Sequence, residues 1–257
     1  YPYFSYQTDP GAPTNIVAVA GNGQATITFS PPVDNGSSSI ISYTVTSSPG
    51  GFTATGGSSP ITVTGLTNGV TYTFTVTATN GVGTGSASAT SNSVVPATVP
   101  GAPTSVSAVR GNGEATITFT PPVSNGGSSI TSYTVTSSPG GFTATGGSSP
   151  LIVTGLTNGV TYTFTVTATN AMGTSSSSSS SNSVVPKTVP NAPTAVTAVR
   201  GNGEATITFT APVNNGGSSI TSYTVTSSPG GVTASGGSSP IVVTGLTNGV
   251  TYTFTVT

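Results

Sequence analysis

The stretch "GLTNGVTYTFTVT" stands at residues 65–77, again at 155–167 and again at 245–257. In its second half Tyr72, Phe74 and Val76 alternate with Thr73, Thr75 and Thr77. A period of two puts the large side chains on one face of a β-strand and the threonines on the other. The half before it, Gly-Leu-Thr-Asn-Gly, is turn chemistry. The copies recur at an offset of 90 residues, and the same offset relates "GAPTNIVAVAGNGQATITF" (11–29) to "GAPTSVSAVRGNGEATITF" (101–119) and "NAPTAVTAVRGNGEATITF" (191–209). That period is too long for a solenoid unit and suits an independent small domain.

The reading is therefore an N-terminal tail at 1–10 and three domains at 11–100, 101–190 and 191–257. The links "PATVPGAPT" (96–104) and "PKTVPNAPT" (186–194) are short and Pro-containing, which predicts stiffness and a rod. Within the first repeat, strand A is read at Ile16, Val17 and Val19, and strand B at Ala25, Ile27 and Phe29 before Pro31-Pro32. Strand C holds Ile41, Tyr43 and Val45, and a short C′ strand holds Phe52 and Ala54. Strand E holds Ile61, Val63 and Leu66, and strand F holds Tyr72, Phe74 and Val76. Val94 and Val95 form strand G, ended by Pro96. Seven short strands with regular turn signals predict an all-β Greek-key sandwich. The third repeat stops after strand F, so it is expected to lack G.

"ATITFSPPVDNGSSSIISYTVT" (25–46) followed by "GLTNGVTYTFTVTATN" (65–80) resembles the bacterial form of the fibronectin type III domain. The most specific feature is L-x-x-G-x-x-Y-x-F-x-V: Leu66, Gly69, Tyr72, Phe74 and Val76, repeated at Leu156 to Val166 and Leu246 to Val256. The resemblance implies tandem Ig-like sandwiches and a tyrosine corner at Tyr72. This chain has Phe29, Phe119 and Phe209 where the family usually has Trp. Phe fills most of that space without an indole N–H to satisfy. The resemblance covers 11–100 and 101–190 fully and 191–257 in part.

The chemistry of the chain is sparse. Charged residues are 3% of 257, namely Arg110, Lys187 and Arg200 against Asp9, Asp34, Glu114 and Glu204. There is no His and no Cys, so the usual general bases, thiolates and transition-metal ligands are missing. Glu114 and Glu204 sit at equivalent places in different domains, too far apart to act as a pair. The expectation is a protein that is not an enzyme, with no cofactor and no metal. Three cations make no phosphate-binding patch, so nucleic acid is not an expected partner. No apolar run is long enough to cross a bilayer. Arg110 and Glu114 flank the turn Gly111-Asn112-Gly113 and are read as a surface ion pair. "GTSSSSSSSNS" (173–183) is read as a flexible F–G loop, with O-glycosylation as the other reading. Asn35-Gly36-Ser37 is an N-glycosylation sequon, which makes glycans at Asn35 a possible addition.

The tail "YPYFSYQTDP" puts Tyr1, Tyr3, Phe4 and Tyr6 into six residues. A first residue other than Met suggests a processed or excised chain. At the 90-residue offset the tail falls on "SNSVVPATVP" (91–100), with Pro10 on Pro100 and Pro190. It therefore stands where a preceding domain's strand G would be. The third domain has an open strand F, carried by Tyr252, Phe254 and Val256. The expectation is that the tail of one molecule completes the third domain of another by strand addition. Such a contact is head-to-tail and generates a filament. The expected function is a structural subunit of an extracellular filament or cell-surface appendage, whose partner is itself. Three alternatives stay open: the chain is a window cut from a longer array, a spacer or binding array of a secreted carbohydrate-active enzyme, or a virion decoration.

Overall fold

The computed structural model describes residues 6–257. Tyr1, Tyr3 and Phe4 lie outside the described residues. Among those described there are nineteen β-strands and no helix. By contacts the chain divides into two compact units. One runs to residue 104 and adds 121–133 and 167–178; the other holds 105–120, 134–166 and 179–257.

The first sandwich consists of β1 (Thr14–Gly21), β2 (Gln24–Ser30), β3 (Ile40–Ser48), β4 (Thr53–Gly56), β5 (Ile61–Thr64) and β6 (Thr73–Asn80). They form two antiparallel sheets, β1-β2-β5 and β4-β3-β6. Alternation decides which side chains meet between the sheets. Ala18, Ile27, Phe29 and Val63 come from one, and Tyr43, Val45, Phe74 and Val76 from the other. Phe29 lies against Tyr43, with ring centroids 4.9 Å apart and a tilt of 54°. A phenyl ring at this place closes the core without a polar atom to satisfy.

Two details depart from simple alternation. Ile41 is turned to solvent, and its neighbour Ile40 packs on the core. The cause is a bulge in the β3–β6 register between Ile40 and Ser42, where one extra residue reverses the facing of the chain. In β1, Ala18 is buried and Val17 and Val19 are exposed. A second bulge, between Thr14 and Val17, sets that parity. The exposed valines suit an edge strand through β-branching rather than burial.

The second sandwich repeats this order with β7 (Thr104–Arg110), β8 (Glu114–Thr120), β9 (Ser132–Ser138), β10 (Thr143–Gly146), β11 (Leu151–Thr154), β12 (Thr163–Asn170) and β13 (Gly173–Thr174). Its sheets are β11-β8-β7 and β10-β9-β12-β13. The third comprises β14 (Thr194–Arg200), β15 (Glu204–Thr210), β16 (Tyr223–Ser228), β17 (Thr233–Gly236), β18 (Ile241–Thr244) and β19 (Thr253–Val256). Its sheets are β14-β15-β18 and β17-β16-β19. Six sheets in three sandwiches make the chain all-β.

The corner tyrosines hold the turn before strand F. The Tyr72 hydroxyl accepts the Thr67 N–H at 3.2 Å, and Tyr162 and Tyr252 accept the N–H of Thr157 and Thr247, each at 3.1 Å. Deleting the Tyr162 hydroxyl leaves a part-buried amide without its acceptor. Tyr162→Phe should lower the stability of the second sandwich by about 1–2 kcal/mol in urea unfolding.

Candidate functional site: the second edge of strand F

Strand F has two hydrogen-bonding sides. In β6 the register with β3 pairs Thr73, Thr75 and Thr77 with Ser48, Thr46 and Thr44. An antiparallel ladder alternates, so Tyr72, Phe74, Val76 and Ala78 present their N–H and C=O groups to the opposite side. In the first sandwich four residues meet them there. The N–H groups of Gly85, Ser88, Ser91 and Val94 donate to the carbonyls of Ala78, Val76, Phe74 and Tyr72, at 2.9 Å each. The partners are three residues apart where strand F advances by two.

This segment is the expected strand G, but only Val94 forms a regular bridge, with Tyr72. The extra residue in each step turns the serine carbonyl away from the ladder, and the hydroxyl takes its place. Ser91 Oγ accepts the Phe74 N–H at 3.0 Å, and Ser88 Oγ accepts the Val76 N–H at 2.9 Å. Each hydroxyl then donates to the next residue's carbonyl at 2.8 Å. One serine thus satisfies both backbone groups of one F residue. The second sandwich does the same. Ser181 exchanges bonds with Phe164, and Ser175 with Ala168. Ser175, Ser178 and Ser181 are buried, and Ser176, Ser177, Ser179 and Ser180 between them are exposed. The serine run read as a flexible loop is a serine ladder with a fixed facing. Between strands G and A, the Asn92 side chain acts as a backbone surrogate. Its Oδ1 accepts the Ala18 N–H at 2.9 Å and its Nδ2 donates to the Ala18 carbonyl at 3.0 Å. Asn182 bonds Ala108 in the same way.

In the third sandwich no described residue plays these parts. The register of β19 with β16 turns Phe254 and Val256 to the same outer side. Phe74 and Phe164 are 0% and 1% exposed, and their counterpart Phe254 is half-buried. Tyr252 is half-buried where Tyr72 and Tyr162 are buried, and all of β14 is exposed. Val256 stays in the core at 7% exposure. A cavity of about 440 Å³ opens there, between Ala198, Arg200 and Glu204 on one side and Leu246, Tyr252 and Phe254 on the other. A second difference lies at the corner tyrosine. Phe52 and Phe142 sit edge-on to Tyr72 and Tyr162 at 6.2 Å, and Val232 replaces that ring in the third repeat.

The end of the tail is tied to its own sandwich. Thr8 N–H donates to Ser37 Oγ at 2.7 Å, Ser37 N–H donates to the Thr8 carbonyl at 3.0 Å, and Gly11 N–H donates to Asp34 O at 2.9 Å. The links between repeats enter their sandwiches similarly. Thr98 and Gly101 bond Gly126 and Ser124, and Thr188 and Asn191 bond Gly216 and Asn214. A buried asparagine fastens the entry. Asn80 Nδ2 donates to Thr8 O and Asn35 O, and its Oδ1 accepts the N–H of Val82 and Gly83. Asn170 makes the same four bonds, to Thr98, Asn125, Met172 and Gly173. So residues 6–10, read as part of a donated strand, occupy the place of a link. The Tyr6 ring is 90% exposed while its carbonyl accepts from Ser37 Oγ.

The internal joints also bring glycines together. Gly127, at φ +83°, packs on Gly69, and a Cβ on Gly127 would land on the Gly69 amide. Gly217 meets Gly159 in the same way. The first repeat carries Ser37 at this position. Asn35, the sequon residue, is exposed. The ladder serines and the two joint asparagines escaped the sequence reading. The signal was present as serines three apart in "SATSNSVV" (88–95), a spacing that neither strand nor helix periodicity searches for.

Two sheets in Greek-key order, a corner tyrosine and a tandem 90-residue period define an array of Ig-like sandwiches. The fibronectin type III domain family matches residues 11–94, 101–184 and 191–257, and the chain belongs to that family. A crystal structure of the FN1-FN3 domains of chicken CNTN1 is similar over 97% of this chain and 93% of that one, at 20% identity and a TM-score of 0.41.

Removing the joint asparagine should be costly, because two amide donors and two carbonyls lose their partners at once. Asn170→Ala is expected to cost about 2–4 kcal/mol in denaturant unfolding. Asn182→Ala, at an exposed edge, should cost about 1 kcal/mol.

Proposed function

We propose that this chain is a non-enzymatic structural subunit acting outside the cell or at its surface, and that it assembles head to tail. In this reading the N-terminal residues of one molecule lie along strand F of the third sandwich of another. The observation that carries it is the docking of residues 6–11, which enter the first sandwich as the internal links enter theirs. Continued backwards at the 90-residue offset, Phe4 falls on Val94 and Tyr1 on Ser91. These are the residues that meet Tyr72 and Phe74 in the first sandwich. The rings of Tyr1, Tyr3, Phe4 and Tyr6 are larger than the side chains they replace, and the cavity beside Tyr252 and Phe254 offers room for them. Burying one large ring there contributes roughly 1.5–3 kcal/mol.

A joint between molecules carries Ser37 where the internal joints carry Gly127 and Gly217. The close approach made at Gly69 and Gly159 is therefore not available to Gly249, and the joint between molecules is the looser one. An extracellular setting accords with a family common outside cells. No described helix is long and apolar enough to cross a membrane. The few charges, with a formal net charge of −1, leave little repulsion between copies.

The test compares the 257-residue chain with a version lacking residues 1–6, by sedimentation velocity and electron microscopy. The intact chain should form threads and the shortened chain single arrays. Equal behaviour of the two chains, whether both assemble or neither does, overturns head-to-tail assembly.

A further inference from the structure

We propose that Asn35 is a self-modifying residue, whose side-chain amide is lost through attack by the Gly36 backbone nitrogen. An asparagine followed by glycine can close a five-membered imide ring, because glycine has no Cβ to screen its nitrogen. The chain has ten Asn-Gly pairs. In nine of them the asparagine side chain is held in hydrogen bonds. Asn35 is exposed, and its side chain makes none among the described residues.

The cause is a residue change between repeats. At the internal joints Asn125 Oδ1 accepts the Gly127 N–H at 2.9 Å, and Asn215 Oδ1 accepts the Gly217 N–H at 3.0 Å. The first repeat has Ser37 in the place of those glycines. The Ser37 N–H donates instead to the Thr8 carbonyl at 3.0 Å, and Ser37 Oγ accepts the Thr8 N–H at 2.7 Å. Asn35 is left without the donor that fixes its counterparts. The attacking nitrogen differs too. Gly36 is half-buried where Gly126 and Gly216 are buried. Its N–H donates to the carboxylate oxygen Asp34 Oδ1 at 2.8 Å, whereas Gly126 and Gly216 donate to the Ser124 hydroxyl and the Asn214 amide oxygen. A carboxylate at hydrogen-bond distance is a base for that proton, and the other two acceptors are far weaker ones.

The step balances within the chain and one water. The Gly36 nitrogen passes its proton to Asp34 and bonds to Asn35 Cγ. The Cγ–Nδ2 bond then breaks, and Nδ2 leaves as ammonia with the proton that Asp34 returns. Water opens the imide at either carbonyl, giving aspartate or a β-linked isoaspartate. The β-linked product turns the Asn35 carbonyl, which accepts from Asn80 Nδ2 at 2.9 Å, into a carboxylate off the main chain. The fastening of residues 8–11 is loosened there. An N-linked glycan on Asn35 would occupy the same nitrogen and block the step. None of this depends on how molecules assemble.

The experiment incubates the folded 257-residue chain, made without N-linked glycan, in neutral buffer and maps it by peptic digestion and mass spectrometry. The peptides spanning residues 35, 125 and 215 differ in sequence and report separately. Conversion at Asn35 should be at least about tenfold faster than at Asn125 and Asn215. Asp34→Asn and Ser37→Gly each introduce a residue that another repeat carries at that place, and each should slow Asn35 by about fivefold or more. In strong denaturant the three sites should convert at comparable rates. A smaller lead for Asn35 in the folded chain, a lead that persists in denaturant, or failure of either variant to slow it overturns the proposal. The converted chain should also exchange its Gly11 and Ser37 amides faster than the unconverted chain, and equal exchange overturns the loosening of the entry.

Discussion

The structure depends on pairing the backbone groups that strand F turns away from strand C. Tyr72, Phe74, Val76 and Ala78 bury their side chains in the core, so their amides and carbonyls lie at the margin of a dry interior. Leaving several of them unpaired costs about 1–3 kcal/mol each. The chain meets this demand with a segment that has almost no apolar content. Ser88, Ser91, Ser175 and Ser181 each satisfy one F residue twice, through backbone and hydroxyl. The consequences run inward and outward. Inward, the ladder shields the corner tyrosine and the phenylalanine below it. Outward, it delivers the chain through Pro96 or Pro186 into the link that docks on the following sandwich.

The same demand explains how the third sandwich differs from the other two. Its sequence through strand F is nearly that of its neighbours, yet β14 is exposed throughout and Tyr252 and Phe254 are half-uncovered. The residues of this region are largely unchanged, and among the described residues none lies along the outer side of strand F there. The exception is Val232, which removes the ring that Phe52 and Phe142 lay against the corner tyrosine.

How much of this was legible in the sequence follows from which patterns carry contrast. Strand F was readable because large and small residues alternate without a break, and burial in β6 follows that alternation. The corner tyrosine was readable from the L-x-x-G-x-x-Y spacing, and each of the three hydroxyls bonds the amide five residues earlier. Strand C was misread by one residue at its start. Ile40 and Ile41 are both β-branched, and a bulge between Ile40 and Ser42 decides which one is inside. The serine ladder was not legible because seven identical residues in a row, Ser175 to Ser181, show no contrast. Only the extra residue per step, a property of the pairing with strand F, separates inward from outward serines. The joint asparagines were hidden for a related reason. Asn80 and Asn170 look like turn residues, and their four bonds reach segments up to 72 positions away in sequence.

Amide hydrogen exchange on the unassembled 257-residue chain is the most direct measurement of whether the ladder is what closes strand F. The three TYTFTVT strands serve as internal controls for one another. The account predicts that the amides of Phe74, Val76 and Phe164 exchange at least about 100-fold more slowly than those of Phe254 and Val256. Comparable rates across the three strands would contradict it.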